Sequence, residues 1–471
     1  MAPTDSAAPR PDGVAPDTVP ALVQLALGHT HPRAGAAVVD TLVDTVAVTV
    51  AGQHTDTVRA LRRWLDLEPS TGDAAVWGTG DRLAPSRAAL VNGTASHALD
   101  YDDAGLTMPI HPSAVLWPAV LALATPATPT ARLLAAVETG HVLIRALADV
   151  LPIGAHYDRG WHATSTIGVL AATAACAAVA ELTPEQTRHA IGIAASTAAG
   201  SLVNFGTMTK PFHSGRAASD AVTAVGLARA GFTANTSELD DPRGFLARYG
   251  ASPRTKMADV DLSERISHWL DAWVGDCAVK QFAACFGTHR ALAATVRLRA
   301  QVPDVAAVRA IRVEAHPATL RPLRTELPTT GDEAKFSMAF NVAHALRTGG
   351  VGPGDFTLDA IAENAGLMPL VETVSMDAPS SGEDLDGRRF ARVAITLADG
   401  GTVATVVTLE DEADRPGRAA IDDKLVRCLT SVGVAVSVAE ELPARIRAAA
   451  AEPTSAELGA VLSLPLIKED R

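Results

Sequence analysis

Cysteine, aromatic side chains and lysine are all scarce in this 471-residue chain. Its four cysteines (Cys176, Cys277, Cys285, Cys428) include no CxxC pair. That usage implies no disulfide framework and fits a reduced, intracellular compartment, so the expected location is cytoplasmic. Aromatics make up 4% of residues against 48% hydrophobic overall, and alanine fills much of the gap. Small side chains let helices approach closely, which favours a tightly packed helical body over a β-rich one. Basic charge is lacking too: the formal net charge is −13, which argues against a nucleic-acid partner. A local cluster of cations can still hold a small anion against that global field. The first nineteen residues have neither a basic leader nor an apolar core, so 1–19 reads as a disordered lead-in and not a signal peptide. Two uncharged runs, 164–180 and 191–209, are filled with Ala, Gly, Ser and Thr. They read as buried helices and loops, and no membrane partner is expected.

What is present divides the chain. At this length two domains are expected. From about residue 20 to 272 one helix follows another, punctuated by Gly and Pro. "TPEQTRHAIGIAAS" opens with Thr183 as N-cap, Pro184 at the first helical position and Gln186 to close a capping box. "HSGRAASDAVTAVGLARAG" reads as a helix stopped by Gly231. The style changes near residue 273. "AIRVEAHP" alternates like a strand, "RVAITLADGGTVATVVTL" reads as a hairpin around Asp399-Gly400, and "EAKFSMAFNVAHALRTGG" between them reads as one helix with a glycine stop. The expected fold is therefore mainly α. It has a large all-helical domain from 20–272 and 410–471, and a smaller α+β lid domain over 273–409.

The stretch "HALDYDDAGLTMPIHPSAV" concentrates Asp100, Asp102, Asp103, His97 and His111. It lacks a compact metal signature such as HExxH, and no metal is expected there. The plain alternative, capping chemistry at the helix that follows Pro112, stays open for any one of these residues. The arrangement recurs, however: His162 in "GWHATSTIGVL", and Lys210 and His213 in "GTMTKPFHSGRAA", also stand just before expected helix starts. Helix N-termini offer free N–H groups and a partial positive charge. Several meeting at one point would bind an anion, and would keep nearby imidazoles neutral and able to accept a proton. Lysine points to the same places. The chain has only six, at 210, 256, 280, 335, 424 and 468, against 34 arginines. Where arginine is the default cation, a retained lysine fits a need for a point charge or a titratable amine.

Six pieces in order resemble the MmgE/PrpD family: "AALVNGTASHALDYDD", "HPSAVLWPAVLALA", "GWHATSTIGVLAAT", "GTMTKPFHSGRAA", "KQFAACFGTH" and "EAKFSMAFNVAHAL". They span about residues 75–346. The resemblance implies a helical domain built from both chain ends, an α+β lid, a homodimer, and a cofactor-free site that removes a proton beside a carboxylate. It carries over Asp100, His111, His162 and Lys210 as site residues. Three positions depart from the family's cis-aconitate decarboxylase: Ala104 where it has Thr, Cys285 where it has His, and Phe340 where it has Tyr. Each change removes hydrogen-bonding capacity, which points to a different substrate.

The expected function is a cofactor-independent, dehydratase-like lyase acting on a small anionic carboxylate. His162 or Lys210 is expected as base, His111 as acid and Asp100 as the orienting carboxylate. Lys280 and His289 of the lid are expected to hold the anionic end, with Asp103, His213 and Cys285 also contacting substrate. An epimerase or isomerase working by deprotonation and reprotonation is the near alternative. A catalytically silent dimeric binding protein is the distant one.

Overall fold

The computed structural model describes residues 18–250, 261–382, 389–408 and 417–467. Most of the lead-in expected over 1–19 lies outside these residues, and the first described helix, Thr18–Gly28, takes up its end. The chain is mainly α, with a small separate sheet.

The larger core is made of helices whose contact surfaces are largely alanine, valine and leucine, and it joins residues 19–283 to residues 421–467. Its centre includes Gly35–Gly52, Pro85–Ala98, Ser113–Leu123, Thr130–Val150, Gly168–Val179 and Thr209–Arg229. Gly35–Gly52 is, among the described residues, the one helix long and apolar enough to cross a membrane by length and composition. Its apolar surface is packed against the other helices, with 78% of the helix buried. Two glycines set a close crossing between Pro85–Ala98 and Thr209–Arg229. A Cβ on Gly215 would stand 2.3 Å from the carbonyl oxygen of Leu90 and 2.2 Å from Thr94 Oγ1. Gly93 meets the same spot from Pro85–Ala98, with its own added Cβ 2.8 Å from Gly215 Cα. These two helices lead directly to Asp100 and carry Lys210. Gly215→Ala is therefore expected to cost about 3 kcal/mol in chemical denaturation, because backbone cannot move aside as a flexible side chain can. A loss below about 0.5 kcal/mol would show that the helices have room to part.

The smaller core is a four-stranded sheet in the order Val371–Ser375, Val308–Ala315, Phe390–Leu397, Thr402–Thr408. The first pair is parallel and the other two are antiparallel. His289–Arg299 and Met338–Thr348 pack against it through Ala294, Leu298, Val342 and Leu346. Gly400, at φ +85°, supplies the left-handed residue that the Asp399-Gly400 hairpin needs. The Thr183 capping box is formed with Gln186, and Gly231 has φ +92° just past its helix.

Two local expectations need correction. "EAKFSMAFNVAHAL" is not one helix: Gly331–Ala334 ends, and Met338–Thr348 begins afresh with Ser337 accepting from the Phe340 N–H. A side-chain cap can start a helix where periodicity alone reads continuity. Lys210 and His213 do not precede their helix either. Thr209–Arg229 already contains both, one turn apart.

A two-stranded pairing of Ala104–Gly105 with Cys277–Ala278 joins the two parts of the chain at the point that matters. It brings the acidic loop after Pro85–Ala98 against the segment that carries Lys280.

Candidate active site

The acidic loop is a strained turn held by lysines. Asp100 has φ +49°, a left-handed conformation uncommon outside glycine, and its side chain is buried. Lys280 Nζ donates to Asp100 Oδ1 at 2.7 Å and to its carbonyl oxygen at 2.6 Å, and Lys210 Nζ reaches the same Oδ1 at 3.1 Å. Lys335 Nζ donates to the carbonyl oxygen of Ala98 at 2.8 Å, and Lys424 Nζ to that of Tyr101 at 2.6 Å. Every lysine among the described residues thus converges on residues 98–101. A compact ammonium on a flexible stem reaches a buried carbonyl where a planar guanidinium would not fit, which accounts for lysine in a chain that otherwise uses arginine.

Beside this turn lies a cavity of about 230 Å3 whose wall includes Ala104, His111, Tyr157, His162, Phe205, Lys210, Cys285, Arg290 and Phe336. His111, His162 and Lys210, far apart in sequence, share it. Lys210 stands 5.2 Å from the Phe205 ring centre and 5.0 Å from that of Phe336, so its charge faces aromatic surface as well as Asp100. Arg321 and Arg389 complete the cationic lining, and no carboxylate lines the cavity among the described residues.

The hydrogen bonds fix the state of His111. Its Nδ1 lies 2.9 Å from the carbonyl oxygen of Asp103, which can only accept, so Nδ1 carries the hydrogen. Asp102 Oδ2 lies 3.3 Å from the same nitrogen. Burial lowers the imidazole's pKa, outweighing the pull of Asp102. The ring is neutral, with its lone pair on Nε2. His97 sits behind it, ring centres 4.5 Å apart, with Nδ1 2.8 Å from Asp102 Oδ2. Burial holds His97 down to about 3. Burial would by itself raise the Asp100 carboxyl, but the ammoniums of Lys210 and Lys280 overturn this and hold it well below the usual carboxylate range. His162 is neutral first through burial and then through Lys210 and His213. The imidazoles are therefore kept neutral chiefly by desolvation and neighbouring ammoniums, rather than by helix ends as the sequence pattern implied.

His97, Asp100, Asp102 and His111 offer ligand atoms within 4.8 Å of one another, the geometry of a metal site. Two ammoniums already occupy Asp100 Oδ1, and both imidazole Nδ1 atoms are turned to Asp102. A dication there would have to displace two buried ion pairs, so the donor set fits an acid–base cluster better than a metal.

Other expected contacts fall outside the cavity wall. Asp103 accepts from Ser113 N at 3.1 Å and Ser113 Oγ at 2.6 Å, which makes it the cap of Ser113–Leu123. Lys280 is buried behind Asp100. His289 donates from Nε2 to the carbonyl oxygen of Ala284 at 3.2 Å, so it does not stand in for the imidazole missing at Cys285. His213 touches His162 from the far side, their Nδ1 atoms 3.1 Å apart. Arg290, Arg321 and Arg389 were not singled out from sequence, and His97 and Asp102 were named in the acidic stretch without a role as a pair. Nothing separates three arginines from 34, and His97 sits only three residues from Asp100 without a spacing that marks it.

The MmgE/PrpD N-terminal domain model matches residues 21–258, and the MmgE/PrpD C-terminal domain model matches residues 282–445. The chain belongs to the MmgE/PrpD family. It is similar to cis-aconitate decarboxylase of Mus musculus, 28% identical over 373 residues, covering 77% of this chain and 75% of that one. The cis-aconitate decarboxylase of Homo sapiens is 27% identical over 392 residues, 80% and 79% of the two chains. A cis-aconitate decarboxylase-like protein of Aspergillus oryzae is 27% identical over 456 residues, 90% and 91%. Of this MmgE/PrpD chain's three departures, Ala104 and Cys285 line the cavity. Phe340 does not: it is fully buried against His344 and Phe356, so its lost hydroxyl does not bear on the cavity wall. Burial pushes the Cys285 thiol up to about 11, which leaves it a weak donor.

Proposed function

We propose that this protein is a lyase that takes a proton from the carbon beside a carboxylate of a small anionic substrate and expels a leaving group, water in the first reading. One observation carries it: two neutral imidazoles share a cavity with Lys210, Arg290, Arg321 and Arg389, with no lining carboxylate among the described residues. Four cations on a wall that carries no carboxylate of its own favour an anion, and neutral imidazoles beside them can move its protons.

His111 is the base in this reading, since the lone pair is on its Nε2; this reverses the acid role expected from sequence. Lys210, held by Asp100, stabilises the charge that develops on the substrate carboxylate as the carbon loses its proton. His162 returns a proton to the departing group. Loss of CO2 is the second reading, favoured by what the mouse and human relatives are named for. Ala104 and Cys285 weigh against it, because they remove hydrogen-bonding groups from the wall.

The test is to incubate the protein in D2O with citrate, 2-methylcitrate, malate and cis-aconitate and follow each by proton NMR. Elimination gives a new vinyl signal with no CO2, and decarboxylation gives a shorter acid with bicarbonate. Deuterium in recovered substrate with a scrambled stereocentre replaces the lyase by the epimerase. A ligand-induced rise in melting temperature without any turnover replaces it by a binding protein. The lyase also requires that Lys210→Met lower kcat by about 10²–10³-fold.

A further inference from the structure

We infer that His213 is a relay that passes protons between His162 and a second, solvent-facing hollow, so that the cavity's acid–base group is recharged from outside while substrate is bound. The inference rests on the lyase reading for its purpose, though not for its geometry.

The second hollow, of about 230 Å3, lies behind the active-site wall and is lined by Ser165, Gly200, Phe212, His213, Arg216 and Asp220 among others. Phe212 and Arg216 are exposed at its mouth, whereas His213 is only 8% exposed. His213 therefore lines this hollow on one side and touches His162, a residue of the inner cavity wall, on the other. Two Nδ1 atoms 3.1 Å apart share a single hydrogen, so whichever ring donates leaves the other as acceptor. The remaining nitrogen of His162, Nε2, is buried and has no partner among the described residues. A buried, unpartnered nitrogen is costly unless something else uses it, and a substrate group in the inner cavity is the available user. Gly200 keeps the junction open. At φ +133°, a Cβ there would come within 3.1 Å of Ser165 Cβ, 3.4 Å of His162 Cβ and 3.5 Å of His213 Nδ1. Asp220, held by Arg216 at 2.9 Å, places a carboxyl in the same hollow. Lys210, one turn before His213, is the other charged neighbour.

The transfer balances with every ring neutral at start and end. His162 Nε2–H breaks as the proton joins the departing group or the substrate carbanion. His213 Nδ1–H breaks as its proton moves to His162 Nδ1. A proton from water in the outer hollow then forms His213 Nε2–H. This leaves His162 with Nδ1–H and a bare Nε2. Once product has left, a proton from water entering the inner cavity forms His162 Nε2–H, the His162 Nδ1 proton passes to His213 Nδ1, and His213 Nε2–H releases one to the outer hollow, which resets both rings. A substrate filling the inner cavity displaces the water that would otherwise do this, which gives the outer route its use.

Two variants and one spectrum test the relay in the full-length protein. With a substrate found in the D2O panel, His213→Ala slows turnover by about 10²-fold, and added imidazole, which fits the enlarged hollow, restores much of it. His213→Gln, close in size but unable to pass a proton, stays slow. Near-wild-type turnover in His213→Gln, or no response of His213→Ala to imidazole, overturns the relay and leaves His213 a packing residue. Independently of any substrate, nitrogen NMR of 15N-histidine-labelled protein shows one protonated and one bare Nδ1 in this pair, and His213→Gln shifts the His162 Nδ1 signal. Two bare Nδ1 atoms, or a His162 signal indifferent to His213→Gln, also overturn it. Wild-type protein inert toward the whole panel counts against the lyase alone, and the spectrum still decides the relay.

Discussion

His111→Gln lowers kcat/KM by about 10³-fold and leaves the unfolding midpoint within a few degrees of the parent. Glutamine is close in size to histidine and its amide can still donate to the Asp103 carbonyl oxygen, so the turn before Ser113–Leu123 keeps its contact. It has no lone pair basic enough to hold a proton. The measurement is steady-state kinetics on the substrate found by NMR, alongside thermal unfolding. Loss of activity with loss of fold would mean that His111 is structural, and retained activity would remove it as base. The pH profile follows from the same nitrogen. The neutral ring is the active form, and burial lowers its pKa from the ordinary 6.5. Protonation, and with it the acid limb of kcat/KM, therefore comes only below pH 6.5. An acid limb above that value would assign the base elsewhere.

Asp100→Asn produces the largest change in stability. The carboxylate is buried between Lys210 and Lys280 at 3.1 and 2.7 Å, and neither ammonium is exposed. Asparagine tolerates the left-handed backbone at φ +49°, so strain is not added. What is lost is the negative charge, which leaves two buried ammoniums facing a neutral amide. Removing one partner of a buried pair costs about 3–5 kcal/mol. A denaturant titration measures it, and turnover falls with it because the Lys210 ammonium is no longer held. The sign with pH is that of a depressed carboxyl: the wild-type contribution is present above the unfolded value near 3.8 and disappears as pH falls through the still lower folded value. A loss under about 1 kcal/mol would mean that water already screens the pair.

Local chemistry was legible in the sequence. The Asp399-Gly400 turn, the alternation over Val308–Ala315, the Thr183–Gln186 box and the Gly231 stop each depend on neighbours a few residues away. His111, His162 and Lys210 do share one cavity, but the helix-start pattern that pointed to it does not hold for Lys210, which lies inside its helix. Roles were less legible because they depend on partners distant in the chain. Asp103 caps a helix ten residues on, Lys280 serves Asp100 from 180 residues away, and the tautomer of His111 is set by a backbone carbonyl. Ser337 restarts a helix because its hydroxyl finds the Phe340 N–H, a choice that hydrophobic periodicity does not encode. The three cavity arginines differ from the other 31 only in what surrounds them.

The most direct measurement is a crystal structure with an unreactive analogue of the carboxylate substrate found by NMR bound. Carboxylate oxygens within hydrogen-bond reach of Lys210 and Arg290, with a substrate-like carbon beside His111 Nε2, are the predicted result. A ligand seated instead in the larger hollow of about 730 Å3 lined by residues from 72–85, 121–126 and 455–463, with the His111 cavity empty, would contradict the account.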